Sequence, residues 1–216
     1  MRIRIMTFGL GVLVAAMLAA PRAQAQRWEL GGGGGASFYN KATISNPAGN
    51  VDAGFKTGYA FSAYLAQNGR RIGGEIRYTF LKNDMELKGG GGSFSTSGRA
   101  HVIHYDVLFF TGSPDAKARP YLAAGGGIKR YEGTGPDLAV QPLGRIAVLT
   151  RTSQWTPIVS FGGGVRFKMG DRSAIRAELK VYGSQVPKDV ITPVGVSSVS
   201  GWFFNFAPMV SISYLW

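Results

Sequence analysis

Five segments of this chain confine their charges, except at two segment ends, to every second residue. In 71–82, Ile72, Gly74, Ile76, Tyr78 and Phe80 share one parity, while Glu75, Arg77 and Thr79 share the other. In 99–111, Ile103, Tyr105, Val107 and Phe109 alternate with His104 and Asp106. Segment 156–168 sets Val159, Phe161, Gly163, Val165 and Phe167 against Ser160, Arg166 and Lys168. Segment 55–66 sets Phe55, Thr57, Tyr59, Phe61, Ala63 and Leu65 against Lys56, Ala60 and Ser62, and 173–183 sets Ile175, Ala177, Leu179 and Val181 against Arg176, Glu178 and Lys180. Apart from Lys82 and Arg99 at segment ends, no Lys, Arg, Asp or Glu falls on the apolar parity of these five. Alternation of this kind is the geometry of a β-strand, whose successive side chains leave opposite faces of the sheet. Segments 27–39, 119–131 and 201–216 follow the same rule, so eight strands are predicted.

The connections alternate in length. Short turns follow the second, fourth and sixth strands, around Asn68-Gly69, Gly112–Ala118 and Gly170-Asp171, and long loops follow the odd ones. Asn-Gly is a strong hairpin signal because both residues accept positive φ. Short turns at one end and long loops at the other describe an up-and-down barrel crossing an outer membrane, with the turns in the periplasm and the four long loops outside. Gly89–Gly92 predicts a floppy second loop, and Arg145–Arg151 predicts a hairpin continuing the wall.

A soluble barrel would bury the apolar parity instead. Three features place it outward: the charged parity carries both signs and small residues, the apolar parity is aromatic near strand ends, and the last strand carries a terminal alternation that a soluble barrel does not require. The inward set is then Glu29, Lys56, Glu75, Arg77, His104, Asp106, Lys129, Arg166, Arg176, Glu178 and Lys180. In a lumen just wide enough for side chains, unpaired charges are costly, so salt bridges between neighbouring strands are predicted to plug it. The two surplus bases should lie near the rims or in solvent.

Residues 1–25 lie outside this pattern. Arg2 and Arg4 precede an apolar run, Met6–Ala20, and Ala23-Gln24-Ala25 is a small-x-small site, the three parts of a cleaved secretory signal peptide. The run is shorter than the ~20 residues that span a bilayer as a helix. The barrel domain is therefore expected over 26–216. Without cysteine there is no lipoprotein anchor and no thiolate metal site. The net charge of +12 invites phosphate partners, but the basic residues are scattered and the chain is expected to be exported, which argues against nucleic acid.

Trp202, Phe204, Phe206, Val210, Ile212, Tyr214 and Trp216 alternate to the end of the chain, interrupted by Pro208. The last four resemble the C-terminal assembly signal of outer-membrane proteins, with Trp in place of the commoner terminal Phe. Trp28-Glu-Leu-Gly-Gly-Gly-Gly-Gly-Ala-Ser-Phe-Tyr39, echoed at Tyr121–Ile128 and Ser160–Val165, resembles a glycine-rich first strand. The whole resembles the outer-membrane β-barrel domain family, OmpA-transmembrane-domain-like and OmpX–Ail-like. That resemblance implies reading by the barrel-assembly machinery and contact with outer-membrane lipid and lipopolysaccharide.

The expected role is structural or adhesive, with the loops as contact surface, an unknown extracellular ligand, and no catalysis, cofactor or metal. Two alternatives stand beside it. A lipid A-modifying enzyme would need His101 or His104 at the outer rim beside a serine such as Ser93, Ser95 or Ser97. A narrow passive pore would need an open water path. The glycine runs lack the Lys-Ser/Thr and following helix of a phosphate loop.

Overall fold

The computed structural model describes residues 27–47, 49–90, 92–136, 140–199 and 201–216. The predicted leader, 1–25, lies outside them. Eight long strands close a barrel: β1 (Arg27–Tyr39), β4 (Gly58–Asn68), β5 (Ile72–Lys82), β8 (Gly98–Phe110), β9 (Ala118–Gly133), β11 (Ser153–Lys168), β12 (Ser173–Gln185) and β15 (Trp202–Leu215). Each pairs antiparallel with its neighbour along the chain, and β15 closes on β1. The wall is all-β, antiparallel and up-and-down, as the alternation predicted.

The seam between β1 and β15 pairs Glu29 with Leu215 through Gly35 with Met209, then resumes at Phe38 and Phe206. The gap lies opposite Ala207 and Pro208, and proline has no N–H for the ladder. At the other end, Trp28 and Trp216 exchange backbone hydrogen bonds of 3.2 and 3.1 Å.

Glycines on the inner wall let these strands come close. A Cβ on Gly33 would lie 2.1 Å from the Val210 carbonyl oxygen, and one on Gly125 1.9 Å from that of Tyr105. Both would strike backbone, which cannot rotate aside, so the tight curve of a small barrel requires glycine there.

The remaining strands build up the long connections: β2 (Ala42–Asn46), β3 (Gly49–Phe55), β6 (Met85–Gly89), β7 (Gly92–Thr96), β10 (Ala147–Leu149), β13 (Ile191–Pro193) and β14 (Ser198–Val199). Five of them form a second sheet in the order β14-β2-β3-β6-β7, drawn from three loops, and β10 pairs with β13. This overturns two expectations. The glycine-rich second loop is a hairpin, β6–β7, with Gly90 at φ +54. Among the described residues the third loop makes no hairpin of its own, because β10 finds its partner in the fourth.

The Asn68-Gly69 turn is also different from the expected one. Asn68 is the last residue of β4, its side chain points inward, and no non-glycine residue among those described has positive φ. The bend falls on residues 69–71.

Candidate functional site

Two surfaces could carry function: the lumen and the cap made by the loops. Every lumen residue expected from parity is buried on the inner wall except Lys56. Lys56 lies between β3 and β4, exposed, and its Nζ donates to Ser95 Oγ at 2.9 Å. The strand stops at Phe55 and restarts at Gly58, so parity does not carry across the break. Phe55 accordingly turns inward and packs on Tyr39, Tyr131 and Phe203.

Most of the charge pairs cross the lumen rather than run along the wall. In register, Glu75 faces Asp106, while Arg166 faces both Arg119 and Arg176. Neighbouring strands thus present like charges, which repel when directly opposite. One wall is mainly acidic and the other mainly basic, and the long side chains bridge the gap. Arg77 forks onto Glu178 with contacts of 2.6 and 3.0 Å and holds Glu75 through Nε at 2.8 Å. Arg176 joins Glu29 at 2.8 Å to Glu75 at 2.6 Å. Arg166 reaches Glu29 at 3.0 Å, and Lys180 reaches Asp106 at 2.5 Å.

Four carboxylates meet four cations, so the network is balanced in formal charge. Tyrosines fill in around it. Tyr121 Oη donates to Glu178 at 2.6 Å, and the Tyr64 ring lies under Arg77 and Arg176 at 4.6 and 4.4 Å. His104 Nε2 is 3.4 Å from Asp106 Oδ2, and the ring packs on Tyr182.

Of the two surplus bases, Lys56 is exposed, as expected, and Lys129 is not. Arg119, a further inward base, closes the end that carries the short turns, donating to the carbonyls of Gly69 and Arg70 and stacking on Phe110. Its inward parity matches Lys129 and was legible. Lys129 is neither at a rim nor solvated. Its ammonium is fully buried, donates to Tyr39 Oη at 2.7 Å, and sits 4.5 and 4.7 Å from the Tyr39 and Tyr131 rings. Aromatic faces attract a cation that has lost its water.

Above Lys129 the lumen becomes apolar and merges with the cap. Leu81, Val102, Tyr131 and Phe203 continue into Ile44, Val51, Met85, Leu87, Ile191 and Val199. The outer face of the cap is polar. Thr43, Asp52, Lys88 and Ser93 lie in register across four strands, and all are exposed.

The outer wall is apolar. Trp28, Phe109, Phe167, Tyr214 and Trp216 ring its lower edge, and Phe38, Tyr59, Tyr78, Trp155 and Trp202 its upper edge, all exposed. Among the described outward residues between these rings there is no Lys, Arg, Asp or Glu. Trp28 to Phe38 covers ~33 Å of strand, about 25 Å after tilt, the height of a lipid-facing band. Val210, Ile212, Tyr214 and Trp216 all point outward into this band.

No family model matches the sequence, and no curated protein matches it either. Solved structures do. The crystal structure of Neisserial surface protein A aligns with a TM-score of 0.52 at 13% identity, covering 87% of this chain and 96% of that one. The solid-state NMR structure of outer membrane protein AlkL in lipid bilayers aligns with a TM-score of 0.51 at 14% identity, covering 91% and 94%. The fold is that of the small outer-membrane β-barrels. Within it, neither histidine is hydrogen-bonded to a serine among the described residues: His101 bonds Tyr78 Oη at 2.8 Å, and both His104 nitrogens lack such a partner.

Proposed function

We propose that this chain is a non-catalytic integral protein of the outer membrane, exported behind a cleaved leader, whose barrel anchors a folded extracellular contact surface. The observation that carries this reading is the cap: strands from separate loops share one sheet and one core, with a polar row on the outside. Loops on a rigid scaffold are where recognition usually lies. The apolar outer band and the shared fold support placement in the outer membrane. The crossing ion pairs argue against a passive pore, and the isolation of both imidazoles from serine argues against acyl-transfer chemistry.

Tags at Gly90 and Pro142, both exposed, are expected to label on intact cells. Labelling only after lysis would reverse the topology and remove the contact surface from the outside.

The assembly machinery is proposed to read the outward side chains of β15. Replacing Tyr214 and Trp216 with serine should therefore reduce the heat-modifiable, folded band on gels several-fold while precursor is still exported. An unchanged folded fraction would return β15 to an ordinary closing strand.

A further inference from the structure

The ion-pair plug stops short of the end of the lumen that carries the short turns. Below Glu29 the bore opens into a cup of about 200 Å³ lined by Arg27, Asn68, Arg119, Arg166, Lys168 and Leu215. We propose that this cup binds a small oxyanion, a carboxylate or phosphate group, that enters along the barrel axis.

The location follows from strand parity. Arg27 shares the parity of Glu29, Asn68 that of Tyr64, Arg119 that of Tyr121, and Lys168 that of Arg166, all of them inward. The cup is thus the mouth of the lumen and not part of the lipid-facing wall. Its floor belongs to the plug: Glu29 Oε2 accepts from Asn68 Nδ2 at 2.5 Å and from Arg166 Nε at 3.0 Å. An occupant therefore enters from the turn end. Only the compartment, the periplasm, rests on the topology proposed above.

The cup has more positive charge than its carboxylates can match. The four carboxylates of the plug are already balanced by Arg77, Arg166, Arg176 and Lys180. Arg119 stands outside that balance. It is buried, it is the register partner of Arg166, and it forms no ion pair among the described residues. The Gly69 and Arg70 carbonyls take its Nη2 and solvate the charge without neutralising it. Two more bases and two acids stand at the rim. Arg27 lies 3.9 Å from Asp115, and Lys168 lies 3.6 Å from Asp171. Both acids are exposed, and exposed pairs at such distances hold weakly. Among the lining residues four bases face two acids, and the acids are outermost. A recess of this kind draws anions inward.

Two buried atoms point to the kind of anion. Arg119 Nε, a donor, and Asn68 Oδ1, an acceptor, have no hydrogen-bond partner. Unpaired buried groups are rare and usually mark a bound water or ion. Water would satisfy both atoms and leave the Arg119 charge uncompensated, which is costly in a buried site. An oxyanion answers the donor and the charge together, and guanidinium groups suit its oxygens. An N–H or O–H beside those oxygens would complete Asn68. Hydrogen phosphate and the carboxylate end of a peptide each carry both features. At about 30 Å³ per water, the cup has room for either group with a few waters.

The test uses the full chain refolded in micelles of a non-ionic detergent, which contain neither phosphate nor carboxylate. Titration calorimetry follows the addition of inorganic phosphate and, separately, of N-acetylalanine, at constant ionic strength. At least one probe should saturate a single site with a dissociation constant of about millimolar or tighter. Arg119→Gln should bind it roughly tenfold more weakly, the effect of losing a charge-assisted contact. Lys168→Gln should weaken it several-fold. Lys168 is partly exposed and outside the plug, so this variant keeps the test decisive even if Arg119→Gln does not fold. Arg145→Gln, exposed in the third loop, should match wild type. Saturation by phosphate alone identifies free phosphate as the source, by N-acetylalanine alone a peptide carboxylate, and by both a general oxyanion site. No saturation with either probe would overturn the proposal, as would equal affinity in wild type and either folded cup variant. Binding in micelles does not depend on which way the loops face in the cell. A failure here is thereby separate from a failure of surface labelling at Gly90.

Discussion

Glu75→Ala should destabilise the barrel by about 3–5 kcal/mol, the usual cost of breaking a buried pair from one side. Glu75 accepts from Arg77 and Arg176 and lies 3.5 Å from Lys180, and all four side chains are fully buried. Each cation keeps another carboxylate, namely Glu178, Glu29 and Asp106. What is lost is the balance: four cations would then share three carboxylates. Urea unfolding followed by heat-modifiable migration measures the change. Glu75→Gln keeps the shape and removes the charge, so it should retain most of the cost. A loss below ~1 kcal/mol in both variants would mean that water screens the lumen as it does a surface pair. Planar-bilayer recording gives a second measurement on the same network. Wild type should show no steady single-channel current, because Arg77–Glu178 and Arg176–Glu75 cross the bore at successive levels. Steady currents from wild type would overturn the plug and promote the pore.

Gly33→Ala should be at least as damaging, by pushing the closing seam apart. A Cβ at Gly33 would lie 2.1 Å from the Val210 carbonyl oxygen and 2.5 Å from the Ser211 Cα, all backbone of β15. Relief requires β1 and β15 to separate, which breaks ladder hydrogen bonds where water cannot replace them. Overpacking alone typically costs ~1–3 kcal/mol, and lost ladder bonds add to it. The folded band should fall sharply or disappear. Gly32→Ala, one residue away and outward-facing, meets nothing nearer than the Ser62 carbonyl at 3.2 Å and should fold nearly normally. Equal behaviour of the two variants would show that the seam tolerates spreading.

The barrel was legible because its rule is local. Period two and the confinement of charge to one parity located all eight wall strands to within a few residues. Lys56 failed because parity is a property of one unbroken strand, and the break at residues 56–57 carries no strong sequence mark. The pairing pattern failed for a different reason. Alternation tells which face a charge is on, not its register or its partner across a lumen, and like charges turned out to be neighbours. The cap is also partly legible. Ala42 and Ile44, Val51, Ala53 and Phe55, and Met85 and Leu87 alternate just as the wall does. Glycines and short lengths give these segments the composition of loops and mask the alternation. The partnership of β10 with β13 could not have been read, since it joins three-residue strands more than forty positions apart.

With the loops outward as proposed, the row Thr43–Asp52–Lys88–Ser93 shows what a shared sheet means for anything that meets the cell from outside. Two of its residues come from the first loop and two from the second, and the edge strand behind them comes from the fourth. The surface is therefore a discontinuous epitope. A peptide cut from one loop holds only part of each row, without the buried alternate residues that keep the row flat. Sequence drift is constrained in the same pattern: the outer positions can change one at a time, while Ile44, Val51 and Leu87 can change only in concert. The visible face could thus diversify rapidly over an interior that stays nearly still.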